Sequence, residues 1–202
     1  RQQIKINPHL CVGCGTCTTV CPSGALSFAY PKASEQGVKL KTLLSTYART
    51  GGKNAALLLH SQKTGQKIIA DLGRMARLDK DINGVPARVV PVSLWHTSSL
   101  GMDAWFTAIC YGASQVWVLM TDEEAPQYRE ALQNQMVVAQ NILTGLGYKG
   151  DHFKILIAED ARDLSVLDRD LQELPAQTVS HSASFAVQTD KRTTLELALQ
   201  HL

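Results

Sequence analysis

Ala55-Ala56-Leu57-Leu58-Leu59-His60 is a short, unbroken apolar run, and its reading decides the fold. Such a run, without polar alternation, is the pattern of a strand buried on both faces. Upstream, Val38, Leu40, Leu43, Leu44, Tyr47 and Ala48 recur at helical spacing, and Gly51-Gly52 closes that helix. Downstream, Ile68, Ile69, Leu72, Met75 and Ala76 form a second helical stripe. Ala87-Arg88-Val89-Val90-Pro91-Val92 reads as a second strand, although Pro91 would interrupt a central ladder. Ser98 or Ser99 is expected to cap a helix running to about Cys110, with Gly112 as its stop. Gln115-Val116-Trp117-Val118-Leu119-Met120 is a third strand. Pro126 opens a long helix with Tyr128, Leu132, Val138, Ile142 and Leu146 as its stripe, ended by Gly147. A fourth strand runs from Phe153 to Ala158. Leu164, Leu167, Leu171 and Leu174 then mark a helix stopped by Pro175. Residues 176–184 read as polar loop, and Phe185-Ala186-Val187 as a short fifth strand. The last helix begins near Thr189 or Asp190.

Strands that alternate with helices of this length pair in parallel through crossovers. The expected class is therefore α/β. Residues 38–202 should form a Rossmann-like three-layer α/β/α domain with a mostly parallel sheet. Residues 1–31 have a different character, rich in Cys and Gly and without an acid, the first being Glu35. Residues 32–37 read as a linker between the two.

Composition narrows the function. Hydrophobic residues make up 45% of the 202, enough for a sizeable core. A net charge of +2 supplies no broad basic field, so nucleic-acid binding driven by backbone charge is not expected. No stretch approaches the roughly 18 apolar residues of a spanning helix, and no secretory signal pattern is present. The expected setting is cytoplasmic. The chain opens on Arg1 and closes inside an apolar-periodic run ending at Leu202, which suggests a piece of a longer protein.

Four of the five cysteines fall in Cys11-Val12-Gly13-Cys14-Gly15-Thr16-Cys17-Thr18-Thr19-Val20-Cys21-Pro22. Clustering of this kind points to a cofactor rather than a disulfide framework. Thiolates two residues apart can wrap a loop around one iron–sulfur cubane, with backbone N–H groups turned to its sulfurs. Gly13 and Gly15 give that loop freedom to adopt positive φ. Lys5 and Lys32 can partly offset the negative charge of a cubane with four thiolates. Zinc usually takes two separated pairs of cysteines, not one tight run followed by C-P. Cys11, Cys14, Cys17 and Cys21 are therefore the candidate ligands of a [4Fe–4S] cluster, and no catalytic residue is assigned. Cys110, in the apolar stretch Trp105–Tyr111, reads as a buried small hydrophobe.

Residues 4–30 resemble the bacterial [4Fe–4S] ferredoxin family, on the C-x-x-C-x-x-C-x-x-x-C-P spacing and the strand-and-turn flanks Ile4–His9 and Ser23–Phe28. The resemblance implies that Cys11, Cys14 and Cys17 hold one cubane while Cys21 serves a second. A partner half-module would then lie upstream or in another chain. The alternative, that all four cysteines close on one cubane, stays open. Arg88 to about Tyr148 is similar in rhythm to the iron–sulfur delta subunit of methyl-viologen-reducing hydrogenases. The cysteines which that family carries after its strands are absent here, where the chain reads Leu59-His60-Ser61, Val92-Ser93-Leu94 and Met120-Thr121-Asp122. The two segments together look like the middle of a large multi-cluster ferredoxin.

Three functions are compatible with these readings. The first is an iron–sulfur electron-transfer module whose α/β domain docks a redox partner protein. The second is an oxidoreductase subunit whose α/β domain binds a flavin or another small molecule. The third is a structural interaction scaffold. Ligands of open α/β sheets bind beyond the carboxyl ends of the strands. Here those ends carry His60 and Ser61, Trp95 and His96, Thr121 and Asp122, and Glu159 and Asp160. An ordinary solvated rim is the plain alternative. Ser61–Lys67 follows a strand as a phosphate loop would, but lacks the G-x-x-x-x-G-K-[ST] pattern.

Overall fold

The computed structural model describes residues 5–21 and 24–202. Expectations resting on Ile4, Pro22 and Ser23 lie outside the described residues. The chain runs through α1 (Thr16–Val20), α2 (Ala33–Arg49), β1 (Ala56–Ser61), α3 (Thr64–Leu78), β2 (Val89–Leu94), α4 (Met102–Cys110), β3 (Gln115–Met120), α5 (Pro126–Gly145), β4 (Phe153–Ile157), α6 (Leu164–Leu171) and α7 (Lys191–His201). The four strands form one parallel sheet in the order β2-β1-β3-β4. This is the expected α/β class, with helices on both faces. The chain winds from β1 to one edge and then back past it, so the direction reverses between β1 and β3.

The period-two geometry of strands sends successive side chains to opposite faces, and β1 shows why its run is apolar throughout. Leu57 and Leu59 join a core with α2, α4, α5 and α7, which includes Phe106, Ile109, Leu132 and Leu143. Ala56 and Leu58 join the opposite core with Trp117, Leu119, and residues of α3 and α6. Pro91 is accommodated because β2 is an edge strand, where one side of the ladder is free.

Several expectations are corrected. Most of the stretch 32–37, read as a linker, is helical. Helix α2 begins at Ala33, with the Glu35 carboxylate accepting from the Lys32 N–H at 3.0 Å. Gly37 lies in that helix because a Cβ there would come within 2.3 Å of Val187. Phe185–Val187 is not a strand. Its Phe185 carbonyl accepts from Tyr111 Oη (2.9 Å) and Lys41 Nζ (3.2 Å) rather than from a ladder. Ser98 and Ser99 do not cap α4. They belong to a 3-10 turn, Thr97–Ser99, which His96 caps, and α4 follows from Gly101. Val138 in α5 and Leu146 at its C-cap face solvent, and Met136, Ala139 and Leu143 take the core positions. Leu174 lies beyond α6 and is exposed. No strand forms among the described residues flanking the cysteine run.

Candidate functional site

The cysteine run is a turn, a loop and one short helix. The N–H groups of Leu10 and Cys11 both donate to the Asn7 carbonyl, at 3.1 and 3.0 Å, which sets the direction of the loop. Gly13 (φ 68°) and Gly15 (φ 87°) take the left-handed conformation expected of them. Gly15 is also packed tightly: a Cβ there would lie 2.9 Å from the Ser99 Cα. Cys17 lies in the first turn of α1 and Cys21 at its C-terminal cap. Cys11 and Cys17 are exposed, Cys14 and Cys21 are half-buried, and none of the four is in a disulfide.

Burial opposes ionisation of Cys14, but hydrogen bonds from Thr16 and Ser98 outweigh it and hold the thiol below its ordinary pKa. Its sulfur lies 3.3 Å from Thr16 Oγ1. Among the described residues, no three side chains of Cys, His, Asp or Glu are gathered closely enough to hold a single metal ion. Four thiolates on one tetrahedral ion sit about 4 Å apart, given Zn–S of about 2.3 Å. A cubane distributes its ligands over four irons and needs a wider spread. Four cysteines outside any disulfide, on a loop with two left-handed glycines, are a donor set of the kind that such a cluster takes.

The run is held against the carboxyl end of the sheet. Thr19, one of its few buried residues, donates through Oγ1 to the Ser98 carbonyl. Ser98 Oγ donates to the Cys14 carbonyl at 2.8 Å, and its N–H donates to His96 Nδ1 at 3.2 Å. From the other side, Lys191 Nζ donates to the carbonyls of Thr18 (3.0 Å), Thr19 (2.9 Å) and Cys21 (3.3 Å). Cations are favoured at such a C-terminal cluster of carbonyls. Asp103, in the first turn of α4, lies 3.9 Å from the same ammonium. Burial raises its pKa, and Lys191 partly restores the charged form. Gln135 Nε2 reaches the Thr19 carbonyl at 3.4 Å.

Most of the strand-end residues that looked like a pocket are bonded to one another. Ser61 Oγ donates to the Glu123 carboxylate, which also accepts from the Thr64 N–H at 3.1 Å. Glu123 thereby occupies the N-terminus of α3, where a phosphate would sit in a nucleotide loop. Glu124 is buried and accepts from Thr97 Oγ1 (2.6 Å), the Thr121 N–H (2.8 Å) and Thr121 Oγ1 (3.1 Å). Glu159 pairs with Arg129 at 2.8 Å, and Asp160 pairs with Arg162. Asp160 consequently lies at a pKa of about 2, held down by hydrogen bonds from Arg162. His60 is buried on the Ser61 carbonyl, and desolvation lowers its pKa. Trp95 remains largely exposed.

Cys110 is remote in chemistry as well as in sequence. Its thiol is buried, donates to the Ala198 carbonyl at 3.4 Å, and is pushed up to about 12 by burial. The residues that sequence reasoning missed are Thr19, Ser98, Asp103 and Lys191. Only Lys191, the first of two bases following an Asp cap signal, left a local trace, and nothing local says that it reaches across the molecule.

Residues 4–27 match the 4Fe-4S binding domain family, Fer4. The match covers all four clustered cysteines. It assigns this segment a [4Fe–4S] cluster and with it an iron–sulfur electron-transfer role that implies a redox partner. No curated protein matches the chain. No helix among the described residues is long and apolar enough to cross a membrane.

Proposed function

We propose that the chain is an electron-transfer module in which Cys11, Cys14 and Cys17 hold one cubane. In this reading Cys21 serves a second cubane, whose other ligands come from outside these 202 residues. The α/β domain, residues 38–202, carries the cysteine segment and presents it to a redox partner. The observation that carries the reading is the family match over a cysteine run that is itself bonded to the sheet's carboxyl end.

The cluster, when bound, accepts and releases one electron at a time. The protein's own part is electrostatic and positional. Ser98 fixes the Cys14 carbonyl, Thr16 bonds its sulfur, and Lys191 places an ammonium at the end of α1 beside Cys21. Positive charge there favours the reduced, more negative cluster. Cys17, in the first turn of α1, and Cys21, at its C-cap, stand one turn apart, and it is the ferredoxin spacing that supports their serving two different clusters. The similarity of Arg88–Tyr148 to the hydrogenase delta subunit supports a place in a larger redox assembly. The small-molecule reading has less support, because Glu123 and Glu124 are engaged in hydrogen bonds at the strand ends and Glu123 takes up the N-terminus of α3.

Iron, labile sulfide and EPR of the reduced protein test this reading. Cys→Ser at 11, 14 or 17 should abolish the cubane signal and bleach the broad visible absorption. Cys21→Ser should leave the first cubane in place. Unchanged iron in all four variants would overturn the ligand assignment. Loss of the first cubane in the Cys21 variant would show that all four close on one cluster.

A further inference from the structure

The charge of this chain is strongly uneven. Residues 1–67 hold nine Lys or Arg and one acid, whereas 68–202 hold eleven bases and seventeen acids. The single early acid, Glu35, is engaged in capping α2. Beside the cysteine loop, a cleft of about 730 Å³ runs from Gly13 past Tyr30 and Lys39 to Trp95. Tyr30 is 82% exposed and Trp95 is 57% exposed, two large aromatics standing in water. Leu10 and Val12, on either side of Cys11, are 80% and 79% exposed. Lys63 Nζ lies 5.9 Å from the centre of the Trp95 ring, and Lys39 Nζ is 3.2 Å from the Ser93 carbonyl.

We propose that this aromatic and basic face is the docking surface for a redox protein with an acidic rim, and that it sets which partner the cluster serves. The proposal rests on the electron-transfer reading above and adds the chemistry of the partner. Exposed aromatics surrounded by charge are the composition of interface anchors. The lysines supply steering and register, and Trp95 and Tyr30 supply the desolvated contact. A small ligand is a poorer occupant. Pockets for such ligands bury most of the ligand's surface, whereas Leu10 and Val12 extend the apolar area along the open loop. The adjacent helix N-terminus, which would have held a phosphate, is already capped by Glu123.

Trp105 and Trp117 are fully buried, so acrylamide quenching of tryptophan fluorescence reports Trp95. The test uses an acidic flavodoxin and a basic cytochrome c as electron acceptors from the reduced chain, with quenching measured in parallel. Transfer to flavodoxin should be about tenfold faster at low salt than at about 0.5 M salt, because steering of this kind is screened. Joint Lys39→Glu and Lys63→Glu substitution should remove that salt dependence, with iron content unchanged. Trp95→Ala should slow transfer at high salt as well. Flavodoxin should shield Trp95 from acrylamide even in the cluster-free chain. Equal salt dependence for the two acceptors, or a larger low-salt acceleration toward cytochrome c, would overturn the proposal while leaving electron transfer intact. Shielding of Trp95 by free flavin mononucleotide or an oligonucleotide, but not by flavodoxin, would overturn it too. Failure to assemble a cluster would sink the electron-transfer reading, and the shielding measurement would still decide the docking face.

Discussion

The two parts of this molecule hold their shape by different means. In the α/β domain, both faces of the sheet are covered by apolar side chains, and residues such as Leu57, Phe106 and Trp117 are fully buried. Among the described residues of 5–31, only Gly15 and Thr19 are buried. That stretch has no hydrophobic core of its own and is fastened by polar contacts to Ser98, Gln135 and Lys191. Small segments of this kind depend on a metal or cluster for stability. The difference teaches a division of labour: hydrophobic burial builds a rigid platform, and a cofactor-dependent loop is pinned to its crest.

The contrast can be broken most forcefully from the core side. Phe106 is buried and meets Phe153 edge-on, with ring centroids 5.7 Å apart. Phe106→Ala should cost about 3–5 kcal/mol of global stability. Denaturant unfolding of the domain would measure it. Iron per folded chain should be unchanged if the platform and the loop are separately held.

Lys191 tests the opposite side. Lys191→Met removes three hydrogen bonds to the carbonyls of the cysteine segment and leaves Asp103 without its cation. A loss of about 1.5–3 kcal/mol is expected, as for charged hydrogen bonds. It should appear as faster proteolysis and amide exchange in residues 5–31, with a small change in the domain's melting. The cluster's potential should fall. Lys191→Arg should restore the potential in part.

A smaller effect is expected at Thr19. Thr19→Val keeps the shape of the side chain and deletes its donation to the Ser98 carbonyl. About 0.5–1.5 kcal/mol is expected, read as amide exchange confined to α1. An equal loss of protection across β1 and β3 would show that the two regions unfold as one.

The mildest probe is pH. His60 and His152 are both buried, and desolvation lowers the pKa of each. Their neutral forms are favoured in the folded chain, while the unfolded chain titrates near 6.5. Their contribution is complete above that value and is lost as pH falls from it toward the lower folded pKa. Both residues lie in the α/β domain, so the melting temperature should decline below about pH 6.5. His152→Gln should blunt the decline, and an unchanged slope in that variant would remove His152 from the account.

Local signals carried a large part of this protein. The apolar run of β1, the glycine stops and the cysteine spacing are each written in at most about a dozen adjacent residues, close to the scale of strands and turns. They sufficed for the α/β class, the cluster type and the helical positions of most elements. Side-chain periodicity failed where two faces compete: Val138 and Leu146 fit a stripe on paper, yet the surface of α5 turned toward the core is the one with Met136, Ala139 and Leu143. Phe185–Val187 has strand-like residues, but Tyr111 and Lys41 satisfy its carbonyl. The order of the strands, the seating of the cysteine helix on Ser98, and the reach of Lys191 back to Thr18, Thr19 and Cys21 were decided only in the tertiary structure. Those contacts join positions some 80 to 173 residues apart, and no local pattern encodes which distant surface a helix end will meet.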